Sequence, residues 1–391
     1  MEKQLPRICI VTSTRADWGL LMPLARELRA SGKAVVQIVA TNMHMLKDFG
    51  NTAKEISDAG FDVDAFADMY VDGDSPLSRA KAMAKCTGAM ADAFSKLAPD
   101  TVLLLGDRYE ILATASTAAV MGIPVIHIAG GEISEGALDD SFRHAITKLS
   151  SLHLTATEPY RRRVIQMGEE PETVINTGAI GVWNALNTKL MSREQLFENL
   201  GIDFGDSPIA LVTFHPVTNE PGADSAMQMK ALLDALNRFP QLGIVITAPN
   251  NDAGGMSLLH IIEDYASAKD NVLFIPSLGM VRYHSMLRCA AFCIGNSSSG
   301  IVEVPSAGIP TVNIGTRQKN RIAAPSVIHC GTSENEITAA IEMALSPDMR
   351  MLAAKKENPY FKPDTLAIMT KAVLDFATNL PVKPKHFHDI P

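Results

Sequence analysis

Short apolar runs recur along this chain, each followed by a stretch of helical periodicity, and that alternation restricts the fold more than any other feature. Residues 7–13 read as a buried strand, residues 18–30 as a helix stopped by Gly32, and residues 35–40 as a second strand. Runs that are apolar throughout belong to parallel sheets covered by helices on both faces. The rhythm predicts helices over 45–60, 78–97, 108–121, 141–149 and 158–167, with strands over 101–105, 124–128 and 152–156. It restarts after Gly178, with strands predicted over 209–214, 243–247, 272–275, 291–294 and 311–314.

A chain of 391 residues exceeds one comfortable core. The expectation is an α/β protein of two Rossmann-like, doubly wound parallel-sheet domains, residues 1–180 and 181–365. Open sheets of this kind bind ligands at the carboxyl ends of their strands, so the active site is expected in the cleft between the domains. The proline-bearing tail, 381–391, reads as irregular.

Composition excludes several classes of partner. Hydrophobic residues make up 47% of the chain, yet no apolar run approaches the roughly 20 residues of a membrane helix, and the first residues pass straight into a strand. No membrane partner and a cytoplasmic location are expected. The net charge is −8 and no Lys/Arg block offers a stripe for phosphate tracking, so no nucleic acid is expected. Arg161, Arg162 and Arg163 read as a solvated helix face. The five cysteines lack zinc-like spacing and read as reduced, buried thiols. Any anionic substrate must meet local cations, of which Arg15, Arg108, Arg143, Arg282, Arg317 and Arg321 are the candidates.

Two segments carry the chemistry. In Gly295-Asn296-Ser297-Ser298-Ser299-Gly300, backbone N–H groups and serine hydroxyls follow a strand and open a helix, where a diphosphate would be favoured. Glu303, one turn on, is placed to accept both hydroxyls of a ribose. The alternative is a serine N-cap with a downstream glutamate, but a cap needs one serine and not a triplet between glycines. Arg317 and Arg321 follow the next strand and suit bidentate phosphate contacts, although either could sit in a solvated loop.

In the N-terminal half, Arg15 and Asp17 follow the first strand, and Asp17 could simply cap the helix. Asp107 follows the strand at 101–105 and could also be an N-cap. The neighbouring strand end delivers His127 and Glu132, and the loop beyond it Asp139, Asp140, Arg143 and His144. Carboxyl groups from adjacent strand ends can be held with unlike proton affinities, which moving a proton at carbon requires. His215, in Thr213-Phe214-His215-Pro216, offers a donor to a leaving phosphate or else bonds backbone at its strand end. His44 is a weaker candidate, and His153 reads as structural.

The motifs GDRYE, HIAGGE, DDSFRHAITK, TFHP and GNSSSGIVEVPSAGIPTVNIGTRQKNR together resemble the hydrolysing UDP-N-acetylglucosamine 2-epimerases of bacterial sialic-acid-type sugar synthesis. That resemblance runs from about Arg7 to Asp375. It implies the GT-B architecture, with helix 366–380 crossing back to the first domain. The implied reaction turns UDP-N-acetylglucosamine and water into N-acetylmannosamine and UDP, through anti elimination and hydration of a 2-acetamidoglucal. No metal or redox cofactor is implied, and a homo-oligomer is expected. Carried over by position, Arg15, Ser297, Ser298, Glu303 and Arg321 would hold UDP and His44 would lie near the sugar; Asn296 and Gly300 are substrate-binding candidates from the Gly295–Gly300 motif itself. Asp107, Glu132 and Asp139 would match the acid/base positions, and Arg143 and His215 would lie near the diphosphate.

Two departures stand out. Ala129 occupies the place before the paired glycines where some members carry Glu, so Glu132 is the nearest carboxylate. The loop at 133–138 is one residue longer than in the animal-type enzymes and looks like bacterial members, some of which act on UDP-2,4-diacetamido-2,4,6-trideoxyglucose. Within the same reaction class the alternative is a non-hydrolysing UDP-sugar 2-epimerase; alternatives of other classes are a GT-B glycosyltransferase and a catalytically silent nucleotide-sugar sensor. The carboxylate cluster disfavours the sensor.

Overall fold

A computed structural model describes residues 5–45, 52–73, 75–134, 138–217, 224–249, 255–380 and 385–390. The chain divides into two compact units, one of Met1–Glu132, Asp139–Trp183 and Lys362–Pro391, the other of Ile133–Leu138 and Asn184–Phe361.

The first unit is built on seven parallel strands: β1 (Arg7–Thr12), β2 (Val35–Thr41), β3 (Ala65–Ala67), β4 (Thr101–Leu105), β5 (Val125–Ile128), β6 (Leu152–Thr155) and β7 (Val174–Asn176). Their order is β3-β2-β1-β4-β5-β6-β7, so the winding reverses between β1 and β4. The period of two explains why the predicted runs are apolar throughout. Ile8 and Ile10 of β1 point into one core with Trp18, Leu21, Leu24 and Leu28, whereas Cys9 and Val11 point into the other with Met90, Phe94 and Ile111. Helix Thr365–Thr378 lays Leu366, Met369, Val373 and Ala377 on the first of these cores, a stripe at helical spacing. Truncating one such fully buried residue, as in Ile10→Ala, costs about 2–5 kcal/mol.

The second unit repeats the scheme with β8 (Ile209–Thr213), β9 (Gly243–Thr247), β10 (Val272–Ile275), β11 (Ala290–Gly295), β12 (Thr311–Ile314) and β13 (Val327–Cys330), all parallel, in the order β10-β9-β8-β11-β12-β13. Ala210 and Val212 of β8 face one core and Ile209 and Leu211 the other.

Several boundaries differ from the sequence expectation. The helix expected at 45–60 is a 3-10 turn at Asn42–Met45 and a helix at Ala53–Asp58, with residues 46–51 outside the described set. The first helix begins at Arg15, because Thr14 caps it by accepting from the Asp17 backbone N–H. Strands β3, β7 and β13 were not expected, being short and lying toward the sheet edges. All five cysteines are free thiols, with Cys9, Cys86 and Cys293 buried and Cys289 and Cys330 half-buried. Among the described residues no helix is long and apolar enough to cross a membrane.

Candidate active site

At the carboxyl end of β4 the chain turns through Gly106 to Asp107 and Arg108 and enters helix Tyr109–Val120. Asp107 is not the cap of that helix. Arg108 occupies the cap position without a side-chain cap bond, and the Asp107 carboxylate is gripped by the guanidinium of Arg143. Arg143 lies one turn into helix Asp139–Leu149 and is 1% exposed. Its other nitrogen, Nη1, donates to the Glu132 carbonyl oxygen at 2.9 Å and to Asp140 Oδ1 at 3.1 Å. Burial alone would lower the Arg143 pKa, but Asp107, Glu132 and Asp140 raise it above its ordinary value, so the cation persists. This one guanidinium therefore ties the ends of β4 and β5 to the helix carrying Asp139. Glu132 itself is buried and Asp139 half-buried.

The turn after β5 is shaped by backbone. Ala129 has φ 70° and Gly131 φ 77°. A Cβ on Gly131 would stand 2.5 Å from the Tyr160 carbonyl oxygen, so only glycine fits. Arg163 donates to the Gly131 carbonyl, and Arg161 to the carbonyls of Val174 at 2.8 Å and Pro171 at 3.0 Å. The solvated-face reading of this arginine triplet thus describes Arg162 alone, whose side chain is 78% exposed; three successive helical residues point three ways.

Glu110 is a site residue that sequence reasoning missed, although it ends the GDRYE motif. It is fully buried and accepts from Arg108 Nε at 2.7 Å and Asn42 Nδ2 at 2.8 Å. Burial would raise its carboxyl pKa, yet Arg108 and Asn42 hold it below the ordinary value. Arg108 is therefore oriented by a carboxylate two residues away. Nearby, Ser13 Oγ donates to Asp17 Oδ2 at 2.6 Å. Burial pushes the Asp17 carboxyl up, against the pull of Ser13 and Arg108.

Arg15 is paired with Glu55 at 2.6 Å. His44 is buried, its Nε2 3.0 Å from Thr12 Oγ1 and its Nδ1 2.8 Å from Thr52 Oγ1, and burial lowers its pKa to about 4. Both ring nitrogens are engaged within the protein. His127 bonds the Gly106 carbonyl at 2.8 Å, and burial lowers its pKa to about 3. His153 bonds Glu169 at 2.9 Å inside the protein, a structural role.

In the second unit Gly295 ends β11 at φ 142°, and a Cβ there would fall 2.0 Å from the Thr213 carbonyl oxygen. Asn296 is fully buried and turns its side chain to backbone. Its Oδ1 accepts from the His215 backbone N–H at 2.7 Å and its Nδ2 donates to the His215 carbonyl at 2.8 Å. Gln318 and Arg317 in turn donate to the Asn296 carbonyl, at 2.9 and 3.3 Å. The His215 ring is buried, and burial, then Arg317, lowers its pKa to about 3.

Ser297 caps helix Ser298–Val302 by accepting from the Ser299 backbone N–H. That helix has five residues, too short for a large macrodipole, so an anion here would rely on individual N–H groups and hydroxyls rather than on the summed dipole. Ser298 is exposed. Gly300 serves close packing, since a Cβ would lie 2.9 Å from Thr311 Cγ2. Glu303 follows as the junction to helix Val304–Ala307 and accepts from Ser299 Oγ at 3.1 Å. Arg282 is turned onto the carbonyls of Leu278 and Ser277, at 2.7 and 3.2 Å. Arg321 donates to the Ile133 carbonyl at 3.0 Å and lies 3.3 Å from Ser134 Oγ, both counted with the second unit.

Two doubly wound parallel-sheet units, with polar side chains gathered at the carboxyl ends of their central strands, define a GT-B-like α/β fold. A solved UDP-GlcNAc 2-epimerase from Neisseria meningitidis, bound to UDP-GlcNAc, shares this fold with a TM-score of 0.79 at 19% identity, over 94% of this chain and 100% of that one. The family profile described as UDP-N-acetylglucosamine 2-epimerase matches residues 26–374, and the chain belongs to that family. It is 35% identical to the Campylobacter jejuni GDP/UDP-N,N'-diacetylbacillosamine 2-epimerase (hydrolyzing), over 88% of each chain. It is 34% identical to a UDP-N-acetylglucosamine 2-epimerase of Neisseria meningitidis, again over 88% of each.

Proposed function

We propose that this protein is a hydrolysing 2-epimerase that converts UDP-N-acetylglucosamine and water to N-acetylmannosamine and UDP. The observation that carries the reading is the grouping of Asp107, Asp140 and the Glu132 backbone around one buried arginine at the ends of β4 and β5. Carboxylates held at strand ends suit removal of a weakly acidic proton from carbon. One of Asp107, Glu132 and Asp139 takes the C2 proton. The C1–O bond breaks, UDP departs with the electron pair, and a 2-acetamidoglucal remains. Water then adds, its hydroxyl to C1 and a proton to the face of C2 opposite the one that lost its proton, leaving the manno configuration. His215, Arg317 and the N–H groups of Ser297 and Ser298 meet the charge that develops on the diphosphate. Glu303 accepts from the ribose. Arg15, Arg108 and Arg321 complete the cationic surroundings of the substrate.

A second substrate is favoured by the similarity to the Campylobacter relative: UDP-2,4-diacetamido-2,4,6-trideoxyglucose, with the same bonds broken and made. Each UDP-sugar incubated alone with the protein in D2O, with products followed by NMR, tests both. The expected result is free UDP and a manno product carrying deuterium at C2. Retention of the original C2 proton would remove the elimination route. UDP still attached to the epimerised sugar would make the enzyme non-hydrolysing, and a requirement for an acceptor would make it a glycosyltransferase.

A further inference from the structure

We propose that Tyr283, Ser299 and His284 are positioning residues that fix one oxygen of Glu303 so that the other faces the nucleotide ribose. The inference rests on Glu303 being the ribose acceptor, as proposed above.

Helix Gly279–Cys289 precedes β11, and consecutive residues on it reach the turn that β11 leads into. Tyr283 Oη lies 2.6 Å from Ser299 Oγ, and Ser299 Oγ lies 3.1 Å from Glu303 Oε2. The direction of this relay follows from proton inventory. A carboxylate only accepts, so the single serine hydrogen goes to Glu303, and the serine oxygen must then accept from the phenol. Burial, then Cys293 and Glu303, raises the Tyr283 pKa well above its ordinary value, so the phenol keeps its hydrogen. His284 Nε2 stands 3.4 Å from the same Oε2, a carboxylate oxygen to which the ring can only donate, and the buried Nδ1 has no hydrogen-bond partner among the described residues. Two donors thus converge on Oε2. Glu303 Oε1 receives no hydrogen bond from the described residues, on a side chain that is 17% exposed. A glutamate anchored by one oxygen has its rotamers already restricted, so it accepts a diol without first being ordered.

None of the three positioning residues needs to touch the nucleotide, and Ser299 is the one serine of the triplet that the sequence reading left out of the site. The test is calorimetric titration of UDP and of 2′,3′-dideoxy-UDP into the full chain, with Glu303→Ala, Tyr283→Phe, Ser299→Ala and Ser299→Thr as variants. Wild type is expected to prefer UDP by about tenfold or more, the range for hydrogen bonds to a charged group. Glu303→Ala should abolish the preference. Tyr283→Phe and Ser299→Ala should each reduce it roughly threefold or more while leaving dideoxy-UDP affinity in place, and Ser299→Thr, which restores the hydroxyl, should recover it. A wild-type preference retained in Tyr283→Phe and Ser299→Ala would overturn the positioning role. Absence of any preference in wild type, or its survival in Glu303→Ala, would instead remove the ribose reading. Tyr283→Phe changes one hydroxyl and keeps the ring, so it decides the matter even where a serine variant fails to fold.

Discussion

The side-chain amide of Asn296 closes a ring of two hydrogen bonds, 2.7 and 2.8 Å long, with the backbone of His215, a residue 81 positions earlier in the chain. The bond pattern is that of one more rung between β8 and β11, continued past the strand ends by a side chain. It fixes where His215 leaves the sheet, and Gln318 and Arg317 then hold Asn296 by its carbonyl.

Asn296→Ala removes both side-chain bonds to the His215 backbone, each loss costing about 1–3 kcal/mol. A fall in the urea midpoint together with loss of turnover is the expected result. Asn296→Asp keeps the acceptor but sets an oxygen against the His215 carbonyl, so it should resemble the alanine variant. Wild-type turnover in both would show that His215 is aligned by something else.

Asp107→Asn should lower kcat by about a hundredfold or more, the lower range for general acid–base work, with UDP affinity preserved. Arg143→Met takes the buried guanidinium from the half-buried Asp107 and Asp140 carboxylates and should cost about 1.5–3 kcal/mol of stability. Combining the two substitutions should be less than additive in unfolding experiments, because the first removes part of what the second leaves unpaired. Strict additivity would mean that the ion pair contributes nothing.

Acid should weaken the fold through three neutral, buried histidines. Burial lowers His44 to about 4 and His127 and His215 to about 3, all below the ordinary value of 6.5. Below pH 6.5 the unfolded chain binds protons that the folded chain refuses, so stability declines by up to about 1.4 kcal/mol per pH unit for each histidine, until the folded values are reached. These groups contribute no pH dependence above that range. Melting temperatures between pH 8 and pH 4 check the slope, and His127→Gln should flatten it.

Glu169 adds a second acid-sensitive contact. Its buried carboxylate meets His153 at 2.9 Å and Lys148 and Lys385 at 2.6 Å each. Burial would raise its pKa, but these three donors hold it at about 2. The folded value lies below the unfolded one, so the stabilisation is present above about pH 4.5 and is lost as pH falls through about 2. Glu169→Gln should therefore lower the melting temperature at pH 7 and much less at pH 3. Lys385→Met should show part of the same loss, and an unchanged melting curve for both would exclude the contact.

How much of this was legible in the sequence depends on whether a property is local. Thr101–Leu105 and Val125–Ile128 announce themselves because a central parallel strand is covered on both faces and can be apolar throughout. Ala65–Ala67 and Val174–Asn176 do not, because three residues near a sheet edge carry too little pattern. Asp107, Glu132, Asp139 and Arg143 drew attention by standing after strands. What each one touches was not readable: Asp107 looks like a cap until Arg143 arrives from another helix. Glu110 was hidden for the same reason, its partner Asn42 lying 68 positions away. Asn296 and Gly300 lie in a ligand-like motif, and the bonds of the Asn296 side chain to the His215 backbone and the close packing of Gly300 on Thr311 could not be read from it.

Helix Thr365–Thr378 supplies Leu366, Met369, Val373 and Ala377 to the core that β1 and helix Arg15–Ala30 begin. These residues follow every strand of the second sheet in the chain. Nascent domains generally fold in order of emergence, but here the ribosome delivers all of the second unit's strands before the first can be sealed. Until Leu366, Met369, Val373 and Ala377 emerge, the core that holds Trp18, Leu21, Leu24 and Leu28 lacks part of its apolar lining, so the first unit is completed only when nearly the whole chain has been made.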